Sequence, residues 1–519
     1  MPDPISILSA VDLCFKYGAK LLKLCSAFAH AESELKDRLL QVKVCWMQAE
    51  LQLKVVKIIA PGLHEDQREI LYEMLEALAS KVKVANELLE SMTKSHGFDS
   101  AEVHVRRWKY ALFHQKIGQT VEDLEKWQQR FNPIWYLTMT PANSLVDASL
   151  DSYRAPSVGL RDPISSAQAL RSARNSDTKE KVRLPEEVLD SLKLQQIPFC
   201  SAYLAKRPDA EKLLIVERIE PVPGSNMGDL ERDIRDLAKR LIRADPLEFG
   251  LLCCKGFMKH REKTSVPSES AAFTVLFRVP DDISQPRTLR SCLLEMTHTD
   301  SLSDRFKLAS ELARAVSYVH TFGFVHKNIR PETILLLGSD ETSLGPAVLI
   351  GFDSFRMASG KTLRRGQAAW DKCLYQHPDR MGPTPSEDYI MQHDIYSLGV
   401  CLLELGLWET FAVHDTSQKA LVDDDHGRQQ PTPAPILGAA YRSFPVKDRL
   451  LSLARRELRA KMGTQYSEVV LTCLTCLDAG NVDFGDAREF QDEDGIEVGV
   501  RYIKKVRAGC LSRSLAVGY

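Results

Sequence analysis

The segment Phe324-Val-His-Lys-Asn-Ile-Arg-Pro-Glu-Thr-Ile-Leu-Leu336 gathers side chains able to handle protons and cations. Its chemistry turns on Asn328 and Thr333. An amide has no basic lone pair at neutral pH, so Asn328 lacks general-base character, a role that typically contributes ~10²- to 10⁴-fold in rate. Thr333 offers a cation only a hydroxyl. Farther along, Val348-Leu-Ile-Gly-Phe-Asp-Ser-Phe355 has Asp353 as its single carboxylate, two residues after Gly351. Upstream, Leu213-Leu-Ile-Val-Glu-Arg-Ile219 sets Glu217 in an apolar run with the look of a strand. A phosphate near Glu217 meets a repulsion of ~4 kcal/mol for unit charges about 4 Å apart at an effective dielectric near 20. Between Ser191 and Lys206 there is no glycine, so the backbone lacks the freedom to wrap closely around a phosphate.

Two further segments, Tyr375-Gln-His-Pro-Asp379 and Asp394-Ile-Tyr-Ser-Leu-Gly-Val400, follow in an order that resembles the large lobe of the protein-kinase family. In that family's H-R-D-L-x-x-x-N loop the Asp takes the substrate proton and the Asn holds magnesium. Asn328 and Thr333 stand at those positions. Gly351 aligns with the Asp of D-F-G, Phe352 with its Phe, and Glu217 with the third-strand Lys that contacts the nucleotide phosphates. The matches that support the fold are His326, Phe352, Pro378, Asp379, Asp394 and Gly399. The resemblance implies that His326 and Phe352 stack inside the large lobe and that Asp394 bonds the catalytic-loop backbone. It implies a pseudokinase: a kept bilobal α+β fold without phosphoryl transfer, and no cofactor or metal. The helix expected at about Met227 to Ile242 offers Asp229, Asp233 and Asp236 with no lysine to pair, which reads as a solvated face.

The chain has 519 residues, 44% apolar and 27% charged, enough for more than one globular core. A net charge of -2 leaves no excess of cations to replace phosphate counterions, so nucleic acid is not an expected partner. The 12 cysteines are scattered behind no evident signal segment, which reads as a reducing cytoplasmic compartment. Cys473 and Cys476 form a C-x-x-C pair in an apolar run, without the further ligands zinc requires, and are expected as core residues.

The first 138 residues repeat apolar residues at helical spacing: Leu8 to Cys25, Leu39 to Ile59, Leu71 to Met92 and Tyr110 to Phe131. Ala60-Pro-Gly-Leu-His64 and Ser95-His-Gly-Phe-Asp-Ser100 break the pattern. This predicts a four-helix bundle. Its first helix is amphipathic, with Ile5, Leu8, Val11 and Phe15 apolar and Lys16, Lys20 and Lys23 basic, a composition suited to a membrane interface as well as to a bundle. The opening Asp3-Pro-Ile-Ser-Ile-Leu-Ser-Ala-Val-Asp-Leu-Cys-Phe15 and the closing Arg130-Phe-Asn-Pro-Ile-Trp-Tyr136 resemble the HeLo domain of fungal incompatibility and prion-associated proteins. That resemblance implies membrane targeting and programmed cell death. A HeLo-like bundle followed by a pseudokinase is similar in architecture to proteins of the mixed-lineage kinase domain-like type.

The expected organisation is multidomain: an all-α bundle at 1–138, a linker at 139–185, a protein-kinase-like domain at 186–478, and an acidic segment with a helix at 479–519. The expected function is a catalytically inactive signalling protein whose pseudokinase answers an upstream partner or ligand. It would release the bundle to form homo-oligomers at an anionic plasma membrane. The alternatives are a scaffold without membrane activity and an unorthodox kinase that uses Asp353 as a displaced metal ligand.

Overall fold

The computed structural model describes residues 2–27, 33–63, 65–95, 116–121, 123, 124, 127, 131, 182–481 and 484. The gaps within the last range are 207–211, 222–225, 243, 262–270, 282, 284, 296–300, 339–343, 358–368, 382–387, 415–430 and 443–445. The chain divides into two compact units, Met1–Asn175 and Ser176–Tyr519. Most of the expected linker, nearly all of the acidic segment and helix expected at 479–519, and the break at 96–100 lie outside the described residues.

The first unit is helical: α1 (Pro4–Ala27), α2 (Ser33–Ile59), α3 (Glu65–Ser95), and helical positions at 116–121, 123, 124, 127 and 131. Asp3 starts α1 by accepting the Ser6 amide at 2.8 Å, satisfying one of the free donors of the first turn. Pro61 and Gly62 end α2 in a short 3-10 turn. Ile7, Val11, Cys14 and Leu21 of α1 face the interior with less than 1% exposure. Gly18 is what lets α2 come close, because a Cβ there would lie 1.7 Å from Cζ2 of Trp46. The last helical stretch is tied to α3 by Trp127, whose indole N–H donates to the Met74 carbonyl at 2.8 Å.

The second unit has two lobes. In the small lobe β1 (Lys193–Gln196), β2 (Tyr203–Lys206), β3 (Leu213–Ile219), β4 (Cys253–Arg261) and β5 (Ala271–Arg278) form an antiparallel sheet in the order β1-β2-β3-β5-β4. The free edge of β4 is paired by residues 182–184: the Phe257 amide donates to the Val182 carbonyl at 2.8 Å and the Leu184 amide to the Phe257 carbonyl at 2.8 Å. Helix α4 (Met227–Leu241) starts at Asn226, whose side chain accepts the Gly228 and Asp229 amides. It buries Ile234, Leu237 and Leu241 and touches β4 through Glu231 and Lys259 at 2.9 Å.

The large lobe contains β6 (Arg287–Thr288), α5 (Leu289–Glu295), α6 (Leu302–Thr321), β7 (Phe324–Val325), β8 (Ile334–Leu336), β9 (Ala347–Leu349), β10 (Arg356–Met357), α7 (Met391–Leu407) and α8 (Thr464–Leu474). Helix α7 is mostly apolar and is buried along its length, taking Gln392, His393, Asp394, Ser397 and Glu404 into the interior with it. Gly399 admits α8, since a Cβ there would lie 2.8 Å from that of Cys473. Cys473 and Cys476 are both buried in this core, and burial pushes the Cys476 thiol up to about 12. The fold is therefore a helical region joined to a bilobal α+β region. No described helix is long and apolar enough to cross a membrane.

Candidate functional site

The site lies where the loop after β7 meets the segment after β9. Strand β7 pairs with β10 and β8 pairs with β9, so residues 326–333 and 350–355 are held side by side. The buried carboxylate of Asp394, at the start of α7, fixes the first loop. It accepts the amides of His326 (2.7 Å) and Lys327 (2.9 Å) and the hydroxyl of Tyr389 (2.7 Å), with His320 Nε2 at 3.1 Å. Burial alone would raise its pKa, but these partners hold it below the usual carboxylate value. The His326 ring packs 4.8 Å from Phe352, and burial lowers its pKa to about 4. Lys327 has a positive φ of 68° and is pushed down to about 8, by burial first and then by the neighbouring Arg356 and Arg380.

Glu217 is the central departure from a bare repulsive charge. From β3 its two carboxylate oxygens reach across to the 350–355 segment and accept the amides of Gly351 and Phe352, each at 2.8 Å. Burial pushes its pKa up to about 7 against the pull of those two bonds, with Asp353 adding to the rise. The carboxylate therefore fastens the small lobe to the backbone at the position where the kinase pattern has its metal-binding Asp. Helix α4 supplies no partner to Glu217. Asp229 is exposed beside Arg232, and the acid on α4 that reaches the sheet is Glu231, which the sequence reading did not single out.

Asn328 acts as a connector. Its Nδ2 donates to Asp353 at 2.9 Å, and its Oδ1 accepts from Arg330 Nε at 2.9 Å. Thr333 is not open to a cation: its hydroxyl donates to the Asn328 carbonyl at 2.7 Å and accepts the Arg330 amide at 3.2 Å. Its methyl packs against Gly351, where φ is +87° and a Cβ would lie 2.4 Å from Thr333 Cγ2. Gly351, which stands where the kinase pattern has its metal-binding Asp, therefore has no room for a side chain beside Thr333. Asp353, the alternative ligand, is engaged by Asn328. Among the described residues no group of three or more His, Cys, Asp or Glu is arranged to hold a metal ion.

The turn joining β1 to β2 runs over this site without glycine. Phe199 takes the left-handed conformation with φ 60°, and Cys200 is buried. The carboxylates of Glu217 and Asp353 and the guanidinium of Arg330 lie within electrostatic reach of the Cys200 thiol, which burial raises to about 12.

A second cluster lies behind the loop. Arg290 of α5 is fully buried, donating to Glu332 (2.8 Å), Glu404 (2.9 Å) and Tyr375 (2.5 Å), and contacting Thr410. Burial opposes its charge, yet the two carboxylates hold the guanidinium well above its ordinary range. Sequence reasoning passed over this cluster, although Glu404 in the apolar run of α7 was a signal: a buried acid there needs a cationic partner. Pro378 opens a 3-10 turn in which His377 accepts the Asp379 amide, and the Asp379 carboxylate lies 3.3 Å from His377 Nδ1.

On the first unit, the residues expected to face a membrane divide. Val11 is buried, Leu8 and Phe15 are half-buried, and Ile5 is 71% exposed. Lys16 and Lys23 are exposed, whereas Lys20 pairs with Glu90 at 2.6 Å.

No protein-family model matches the chain. Over 105 residues, 19% of the chain, it is 33% identical to eukaryotic translation initiation factor 2-alpha kinase 1 of Mus musculus, 16% of which is covered. Over 143 residues, 27% of the chain, it is 29% identical to the receptor protein kinase-like protein At4g34220 of Arabidopsis thaliana, 17% of which is covered. A probable serine/threonine-protein kinase, gdt4, of Dictyostelium discoideum is 25% identical over 105 residues, 20% of the chain and 6% of that protein. The chain thus spans about a sixth of the length of the first of these curated relatives. What these short matches and the bilobal fold share is a protein-kinase-like domain.

Proposed function

We propose that the kinase-like domain is a pseudokinase that works as a regulatory binding module and transfers no phosphoryl group. The observation that carries this reading is the Glu217 carboxylate on the amides of Gly351 and Phe352. A phosphate-contacting lysine and a metal ligand are replaced together by a pair of groups that satisfy each other. Catalysis of phosphoryl transfer relies on cations and positioning around the phosphates. Here an acid occupied by two backbone amides stands at the β3 position, and the general-base position is an amide already bonded on both sides.

The test uses the full chain with magnesium and labelled ATP, offered a generic protein acceptor. The expected result is no incorporation above a protein-free control and no thermal shift with millimolar Mg-ATP. Incorporation that disappears in Asp353→Ala would overturn the reading in favour of unorthodox transfer.

The reading extends to the first unit, as a membrane-acting HeLo-like bundle that the pseudokinase restrains or releases in a cytoplasmic death-signalling protein. What supports it is the outer surface of α1, where Ile5, Lys16 and Lys23 fall on one stripe at helical spacing and Leu13 beside them is 41% exposed. An upstream ligand or partner would act by shifting the population of pseudokinase states, freeing the bundle to oligomerise at anionic lipid.

A further inference from the structure

Resting on the reading of the cleft as non-catalytic, we infer that the turn between β1 and β2 is a built-in latch that shuts the cleft from within, bridging the lobes in place of a ligand. The turn touches the large lobe twice. The Pro198 carbonyl accepts the hydroxyl of Thr288, on β6, at 3.2 Å. The Phe199 ring packs on His414 with centroids 4.9 Å apart and planes tilted by 57°. Both contacts cross from the small lobe to the large one. Thr288 is fully buried and is itself held by Ser291 at 2.8 Å, so the hydroxyl is aimed by its own surroundings.

The backbone at the tip indicates a held conformation. A bulky aromatic residue at φ 60° is rare and costs of order 1–3 kcal/mol, which surrounding contacts must offset. The turn is shaped locally by the Cys200 amide on the Ile197 carbonyl and the Ile197 amide on the Ala202 carbonyl, each at 3.1 Å, and the two cross-lobe contacts then fasten this shaped turn to the large lobe. Cys200 is 5% exposed and Ala202 is 1% exposed, so the turn packs against the site through these two residues while Pro198 and Ser201 face solvent. The Ala202 amide lies 3.3 Å from the Cys200 sulfur, and Glu217, Asp353 and Arg330 lie within electrostatic reach of that thiol. The latch and the Glu217 clamp are separate devices on one cleft: Glu217 ties β3 to Gly351, and Phe199 ties the turn to the opposite wall at His414.

Cys200 is a native reporter of the latch. The full chain is exposed to a maleimide under native conditions, and each cysteine is followed by peptide mass spectrometry, with buried Cys254 of β4 as the marker of global unfolding. The expected result is slow Cys200 labelling in the native protein. Phe199→Ala and His414→Ala should each speed it by about tenfold, the scale of losing one aromatic contact, with Cys254 unchanged. Thr288→Val should act in the same direction. Fast Cys200 labelling in the native chain would overturn the latch. So would unchanged labelling in both Phe199→Ala and His414→Ala, and the two variants sit on opposite lobes so that misfolding of one does not decide the matter. Labelling of Cys254 that rises in step with Cys200 in every variant would also overturn it, because the turn would then have no opening of its own. Addition of Mg-ATP separates the two readings. Protection of Cys200 together with phosphate incorporation would refute the non-catalytic reading, whereas the labelling rates without nucleotide judge the latch.

Discussion

At the residue scale, the informative positions are those where a replacement has acquired a partner. Gly351→Asp restores the metal-binding residue type of the kinase pattern but is expected to restore nothing else. The new Cβ would lie 2.4 Å from Thr333 Cγ2 at a φ of +87°, and the new carboxylate would sit beside Glu217. The expected outcome is a loss of roughly 1–3 kcal/mol in urea unfolding, with no magnesium-dependent thermal shift. Glu217 gives a pH prediction. Its folded pKa is raised from 4.5 to about 7, so its contribution to stability is full below the unfolded value and is lost as pH rises through about 7. His326, His377 and His393 have the opposite sign: buried with values lowered to about 4, about 4 and about 3, they contribute stability above 6.5 that is lost as pH falls. Comparison with Glu217→Met isolates the acid. From pH 5 to pH 8 the native protein should lose about 1–3 kcal/mol relative to the variant, and parallel stability curves would refute this. The absence of a base at Asn328 and of a lysine at Glu217 was legible in the sequence, because side-chain chemistry follows from residue type. The clamp was not, because Glu217 and Gly351 are 134 residues apart and only the fold sets a carboxylate against two amides.

At the element scale, legibility followed periodicity. The strand expected at Leu213 to Ile219 is β3 with those bounds, and the helix expected at Met227 to Ile242 is α4, ending one residue earlier. Helix α2 shows where the pattern blurs. Leu39, Val42 and Trp46 are buried, while Leu40 and Met47 are 58% and 57% exposed, so no single stripe marks its inner face. The β1–β2 turn was legible only as a lack of glycine, and the structure meets that lack by placing Phe199 at a positive φ. The contact of α7 with α8 yields the prediction for this scale. Gly399→Val forces bulk into a gap in which even a Cβ is 2.8 Å from Cys473, between buried α7 and the inner face of α8. Overpacking of that kind typically costs 1–3 kcal/mol. Chemical denaturation of the variant should show a loss of about that size, and a stability equal to the native protein's would mean that the two helices separate more easily than their burial indicates.

At the scale of the whole molecule, the proposed link between a latched pseudokinase and a membrane-acting bundle depends on what α1 presents to solvent. Reversing Lys16, Lys20 and Lys23 together would confuse two effects, because Lys20 already pairs with Glu90 and a glutamate there would set two carboxylates against each other on neighbouring helices. Lys16 and Lys23 are exposed and lie on the stripe that carries Ile5, so they can be reversed without breaking that pair. The full chain with Lys16→Glu and Lys23→Glu is expected to keep the native unfolding midpoint. Each lysine near an anionic surface is worth about 1 kcal/mol, so the double reversal should cut co-flotation with phosphatidylserine vesicles by at least about tenfold at low salt. Vesicles of neutral lipid should capture neither protein. The Phe199→Ala chain adds the regulatory half: if the latched state restrains the bundle, this variant should bind anionic vesicles more strongly than the native chain, and the lysine reversals should abolish the gain. Equal binding by all three chains would remove the membrane from the mechanism and favour a scaffold, because neither the charge on α1 nor the state of the cleft would then affect association with lipid.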